Sequence, residues 1–234
     1  LNPGLMIDNC ASGGRRLDIE MMKRSVSLWR TDYNITKGSI TDGVRMSTYG
    51  LSWWLPLSAG GCSSEGRVTD YHWRSMIASG LVLGAASVRS SLYLPGIEQY
   101  QLCKNYINGD YYILCQGSQD NLKSEYAVYE YYRPNEEDGC LIVFRPEECS
   151  VSKKTVKLKG LKSDTVYVLN ITETGETVEA TGEELMTIGL TLKRHKSNTS
   201  LLILIDKKAE PIIQSELREP LKPHYPKTVR DVFH

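Results

Sequence analysis

The sequence predicts an α/β segment followed by an all-β segment, and three features support this. Before about residue 120, short apolar strands alternate with stretches of helical period. After it, apolar residues recur with the two-residue period of half-buried strands. Turn signals then punctuate the chain at Arg133-Pro134-Asn135, Arg145-Pro146, Lys159-Gly160 and Thr174-Gly175. The 234 residues suffice for one large domain or two small ones, and with 41% apolar residues a normal core can be buried.

In the first segment Gly4–Asn9 reads as a buried strand, Leu17–Ser25 as a short helix and Val26–Thr31 as a second strand. From Asp70, the residues Trp73, Met76, Ile77 and Leu81 share one helical face, with Thr69 or Asp70 as the cap. Pro95 and Gly96 lead into a helix over Ile97–Ile107. Such alternation implies a parallel sheet with crossovers. In the second segment strands are expected at Ala127–Tyr132, Cys140–Phe144, Thr155–Leu158, Val166–Asn170, Thr177–Glu179, Met186–Leu192 and Leu201–Ile205, a sandwich or barrel pattern. Val156 and Leu158 alternate with lysines, so that strand should be half exposed; Leu201–Ile205 is continuously apolar and should be central. The expected domains are 1–120, 121–208 and an extended tail, 209–234, which holds four prolines.

The 28 basic and 28 acidic side chains cancel and form no long like-charge block, which argues against a nucleic-acid partner. There is no run of 18 apolar residues, so no membrane-spanning helix is expected. The six cysteines, 10, 62, 103, 115, 140 and 149, match no zinc spacing and fit reduced thiols in a cytoplasmic protein. No metal triad is visible, and neither a metal nor a cofactor is expected. Leu1 stands just before a strand, so the chain is expected to begin within a domain.

Two segments could carry chemistry. Asp8-Asn-Cys-Ala-Ser-Gly-Gly-Arg-Arg-Leu-Asp18 is a glycine-rich strand-to-helix loop, which lets backbone approach a ligand. It lacks both phosphate-loop patterns, and Arg15 and Arg16 read equally well as ion pairs that stiffen it. Trp29-Arg-Thr-Asp32-Tyr33 puts a carboxylate at a strand end beside aromatics, where barrel enzymes keep their chemistry. The bland alternative is an aspartate that caps the next turn.

Together, Cys10–Asp18 and Trp29–Tyr33 resemble the signature of glycoside hydrolase family 36, the bacterial and fungal α-galactosidases. Tyr49–Pro56, Arg74–Gly80 and Asn108–Tyr112 are similar to further family segments, and the resemblance spans roughly residues 2–206. It implies the C-terminal half of a (β/α)8 TIM barrel followed by an antiparallel β-sandwich. It further implies a retaining α-galactosidase that releases terminal α-linked galactose from oligosaccharides. Asp32 matches the acid/base position, and Cys10 and Ser12 match positions that contact the sugar; Gly13, Arg15 and Trp29 complete the implied substrate-binding set. Ser12 stands where many members carry glycine, which leaves the substrate detail open.

Retention needs two carboxyls about 5–5.5 Å apart. The acid must hold its proton near neutrality, a condition that Trp29 and Tyr33 could promote by excluding water. The family's Lys-Trp-Asp nucleophile motif is absent, so the nucleophile is expected upstream of residue 1 and the isolated chain is expected to be inactive. The alternatives are an α-N-acetylgalactosaminidase, a raffinose-synthase-like galactosyltransferase and a non-catalytic carbohydrate-binding piece. A homo-oligomer stays open. Outside the site, at least one of Trp53 and Trp54 should be core, His72 and His195 should face solvent, and the Tyr126–Tyr132 run should serve packing. Asp18 should start a helix and pair with an arginine.

Overall fold

The computed structural model describes residues 4–26, 28–35, 40–55, 58–61, 69–82, 94–193 and 196–209. His195 and the tail beyond 209 lie outside the described residues. The first layer is a parallel sheet of β1 (Leu28–Trp29), β2 (Ser58–Gly61) and β3 (Gly80–Val82), with its strands in chain order. Gly4–Asn9 adds only a parallel bridge from Asp8 to Val26, and Leu5, Met6 and Ile7 are exposed. The burial expected of that strand is therefore not met among the described residues.

Before the sheet come α1 (Ala11–Gly14) and α2 (Ile19–Met22). α2 is shorter than the expected Leu17–Ser25 helix. Asp18 caps it by accepting a hydrogen bond from the Met21 amide at 2.9 Å, as an N-cap aspartate does. An arginine partner is also expected for Asp18; the nearby Arg24 bonds Glu20 one turn away.

The crossovers are α3 (Thr41–Ser52) and α4 (Asp70–Ser75), followed by α5 (Leu94–Cys103). The helix expected from Asp70 to Leu81 stops at Ser75, and Leu81 belongs to β3. Ser79 fixes that change of structure. Its hydroxyl accepts from the Ser58 amide at 2.7 Å and donates to the Ser58 carbonyl at 2.9 Å, tying the chain to β2. Trp53 and Trp54 both point to solvent, at 64% and 48% exposure, so neither is core. They occupy the turn after α3, and Leu55 fills the buried position. His72 is partly buried and its Nδ1 closes the cap of α4 with Thr69, so it does not simply face solvent.

The second layer comprises β4 (Asp110–Cys115), β5 (Ala127–Arg133), β6 (Asp138–Arg145), β7 (Lys154–Val156), β8 (Val166–Ile171), β9 (Thr177–Thr181), α6 (Gly182–Thr187), β10 (Leu190–Leu192) and β11 (Thr199–Lys207). Six of these strands form one antiparallel sheet in the order β4-β5-β6-β11-β8-β9. As its apolar run demands, β11 is central. Its edge strand β4 comes from before residue 120.

The sandwich's opposing layer is small: β7 paired with β10, plus α6. The strand expected over Met186–Leu192 is split into the end of α6 and β10. Thr181 and Glu184 form a reciprocal capping box that starts the helix there.

Alternation along β5 explains how both faces of the large sheet are used. Val128 and Tyr132 face α6, β7 and β10, whereas Ala127, Tyr129 and Tyr131 face the helices of the first layer. Tyr49 of α3 stacks on Tyr129 with ring centroids 3.9 Å apart, and Tyr71 of α4 meets Phe144 edge-on. Two buried arginines reinforce the junction. Arg45 donates to Tyr129 Oη at 3.1 Å and to the Leu122 carbonyl at 2.9 Å; Arg74 pairs with Glu173 and donates to Gln99.

Candidate active site

The segment 8–16 and the end of β1 come together in space. The Trp29 amide donates to the Asn9 carbonyl at 2.9 Å, which sets the start of the loop beside the strand. The chain then turns through α1, where the Gly14 amide donates to the Cys10 carbonyl at 3.2 Å. Gly13 and Gly14 have φ of +78° and +93°, values that side chains disfavour. Their lack of a side chain is also required by space. A Cβ on Gly14 would lie 1.9 Å from the Arg30 carbonyl oxygen, and one on Gly13 would lie 2.6 Å from Asp32 Oδ2. The glycine pair is therefore the clearance that lets the loop lie against the strand end.

Asp32 opens a 3-10 turn, Asp32–Ile35, immediately after the strand. The Trp29 indole donates to Asp32 Oδ1 at 2.8 Å, and Trp29 itself is buried while Asp32 is exposed. The structure thus brings Asp32, Trp29 and Gly13 into direct contact. Cys10 and Arg15 stand exposed at the two ends of the same short turn. Ser12 lies within that turn, its side chain outside the described residues. An accessible carboxyl held by a hydrogen bond from the Trp29 indole can accept or donate a proton, or bind a hydroxyl.

Arg30 points elsewhere. It is buried, its three guanidinium nitrogens find no hydrogen-bond partner among the described residues, and burial lowers its pKa to about 10. Among the described residues no helix is long and apolar enough to cross a membrane, and no cluster of His, Cys, Asp and Glu could hold a metal ion.

Sequence reasoning overlooked the neighbourhood of Tyr33. Its hydroxyl accepts from the Ile40 amide at 3.0 Å, and beside it a cavity of about 620 Å³ opens toward residues 119–124. The cue was the hydrogen-bonding run Gly117-Ser-Gln-Asp-Asn-Leu-Lys-Ser124, which reads only as a boundary loop.

The model of the glycosyl hydrolase family 36 C-terminal domain matches residues 126–205. Among curated proteins, the bifunctional α-galactosidase/sucrose kinase of Mediterraneibacter gnavus is 30% identical over 185 residues, 71% of this chain and 18% of that protein. The galactosidase domain of an α-galactosidase–sucrose kinase superposes on 88% of this chain and 29% of its own, with a TM-score of 0.66 and 22% identity. The α-galactosidase of Lactobacillus brevis gives 0.68 at 16% identity, over 88% of this chain and 29% of that one. A family 36 α-galactosidase variant of Geobacillus stearothermophilus in complex with raffinose gives 0.66 at 18%, over 87% and 29%. At these identities the superpositions speak to fold, and the chain spans less than a third of the length of each of these relatives. The sequence match to the family's closing domain agrees with the antiparallel sheet found there, and the chain belongs to glycosyl hydrolase family 36, corresponding to the C-terminal region of its members.

Proposed function

We propose that this chain supplies the acid/base side of a retaining α-galactosidase site, with Asp32 as the acid/base and the Cys10–Arg15 turn facing the sugar. The observation that carries the reading is the Asp32 carboxyl itself. It stands at the end of a parallel strand, bonded to the Trp29 indole and backed by the glycine turn. Three parallel strands in chain order, with a further parallel bridge at Asp8, support a half barrel over the first segment. Relatives named as α-galactosidases, one of them in complex with raffinose, favour an α-galactoside oligosaccharide as substrate.

In this mechanism a second carboxyl, carried outside this chain, attacks the anomeric carbon. Asp32 protonates the departing glycosidic oxygen and then takes a proton from the water that releases galactose. Trp29 orients the Asp32 carboxyl through its indole N–H.

The test is Asp32→Asn in the full-length protein. Turnover of raffinose should fall by roughly 10²–10⁴, because a basic leaving oxygen needs the acid. Activated aryl α-galactosides should lose far less in the first step. Azide should restore part of the second step and yield α-galactosyl azide, since it attacks from the side that water uses. Normal turnover of raffinose by the variant would remove Asp32 from this role.

A further inference from the structure

We infer that the Arg30 guanidinium is the centre of a buried binding site for a small monovalent anion of chloride size, set between β1, β2 and the large antiparallel sheet. The site does not depend on the galactosidase reading. The first argument is charge. Arg30 is 2% exposed, and its Nε and both terminal nitrogens find no hydrogen-bond partner among the described residues. Burial lowers its pKa only to about 10, so it is a cation at neutral pH. Two other arginines of the first layer are as deeply buried, and each faces a carboxylate: Arg45 has Asp42 at 3.3 Å, and Arg74 has Glu173. The groups that act on Arg30 are instead the phenols of Tyr131 and Tyr49, and no carboxylate pairs with it among the described residues. A cation taken out of water without a counter-charge is one of the costliest arrangements in a protein interior, so the position calls for a negative charge.

The second argument is the donor set. Trp29 pairs with Ala59 in the parallel register, which sets Arg30 level with Gly60 of β2. A Cβ on Gly60 would lie 1.8 Å from an Arg30 terminal nitrogen, so the arginine crosses β2 on the side that Gly60 leaves bare. Ser58, two residues earlier on the strand, points to that same side. Its hydroxyl is fully buried and has no hydrogen-bond partner among the described residues. From the opposing sheet comes the buried Tyr131 hydroxyl, with Ser52 beside it and no hydrogen bond of good geometry among the described residues. Guanidinium N–H groups and two hydroxyls can all donate, and an anion satisfies several such donors at once. One positive charge requires one negative charge. Walls of tyrosine ring and glycine backbone favour a spherical ion, which brings no polar groups of its own to satisfy.

The third argument is position. The Arg30 carbonyl oxygen is the atom that a Cβ on Gly14 would strike, and Asp32 follows two residues on. An ion that holds the Arg30 side chain therefore fixes the strand end against which the glycine turn rests. It also ties that strand to the sheet through Tyr131, a residue of β5.

The experiment uses the full-length protein, purified in gluconate without halide, and bromide as the probe. Crystals soaked in bromide should give an anomalous peak within roughly 3.5 Å of the Arg30 guanidinium. In solution, Tm should rise by about 2–4 °C when bromide replaces gluconate at equal ionic strength. Ser58→Ala, a small change that spares the fold, should raise the half-saturating bromide concentration about tenfold. Arg30→Met should abolish both the peak and the shift, and the wild-type map decides the matter whether or not that variant folds. A water bridging Arg30 to the nearby Met76 carbonyl, or a carboxylate from elsewhere in the polypeptide, found in place of bromide would overturn the site. So would a crystal peak without any shift in solution, which marks an adventitious ion only. An unchanged half-saturation in Ser58→Ala would strike Ser58 from the donor set.

Discussion

Glu130 sits on β5 with no solvent exposure. One carboxyl oxygen accepts from the Lys159 amide at 2.9 Å, and the other finds no hydrogen-bond partner among the described residues. Burial pushes its pKa from the ordinary 4.5 up to about 8. The folded chain therefore holds a proton that the unfolded chain releases. The stability this confers is fully present below about pH 4.5 and is lost as pH rises through about 8. Glu130→Gln keeps the shape of the protonated acid and cannot ionise. Unfolding free energies from urea titrations between pH 5 and 8 should fall for the wild type, by a few kcal/mol in total, and stay nearly level for the variant. Equal slopes for the two proteins would clear Glu130 of this effect. At the site, the sequence made Asp32 and Trp29 visible because a carboxylate beside aromatics at a strand end is a local pattern. The role of Gly14 was not visible, since its clearance is measured against Arg30, which lies beyond α2 and β1.

At the scale of elements, α4 carries a buried charge into the junction. Arg74 is 1% exposed and bonds Gln99, Ser200 and Glu173, whereas Glu173 belongs to the turn between β8 and β9 and also accepts from the Leu202 amide. Glu173→Gln retains an acceptor for Leu202 but removes the counter-charge of a buried cation. The expected cost is about 3 kcal/mol in chemical denaturation. A loss under about 1 kcal/mol would mean that Gln99 and Ser200 suffice. The same polarity decided what the sequence disclosed. β5, β6 and β11 were legible because both of their faces are covered and their side chains are apolar almost throughout. α3 was not, because its buried face carries Asp42, Arg45 and Thr48 among Val44 and Tyr49, which hides the helical period of apolar residues. Likewise, Met186, Ile188 and Leu190 mimic a strand, and only the Thr181 to Glu184 spacing betrays α6.

For the molecule as a whole, the sheet is a shared wall. One face closes the sandwich, and the other carries Tyr129, Tyr131, Ile142, Phe144 and Leu202 against the first layer. The segment that matches the family domain, 126–205, would leave that second face bare and lose β4 as well. Expressed alone, it should bind more of a hydrophobic dye per molecule than the 234-residue chain and migrate as aggregates on gel filtration. A monodisperse fragment with low dye binding would show that the wall stands unsupported. The position of β11 bears on how the molecule is made. Between β6 and β8 it is the seam that joins two hairpins, β5-β6 and β8-β9, and of the described strands in this sheet it is the latest in chain order. At about 5–20 residues per second, the gap between Phe144 and its partner Ser200 leaves the first hairpin waiting roughly 3–11 seconds with an unpaired edge. Throughout that interval Arg74 also lacks Ser200, so docking of the preceding helices is timed by the synthesis of β11.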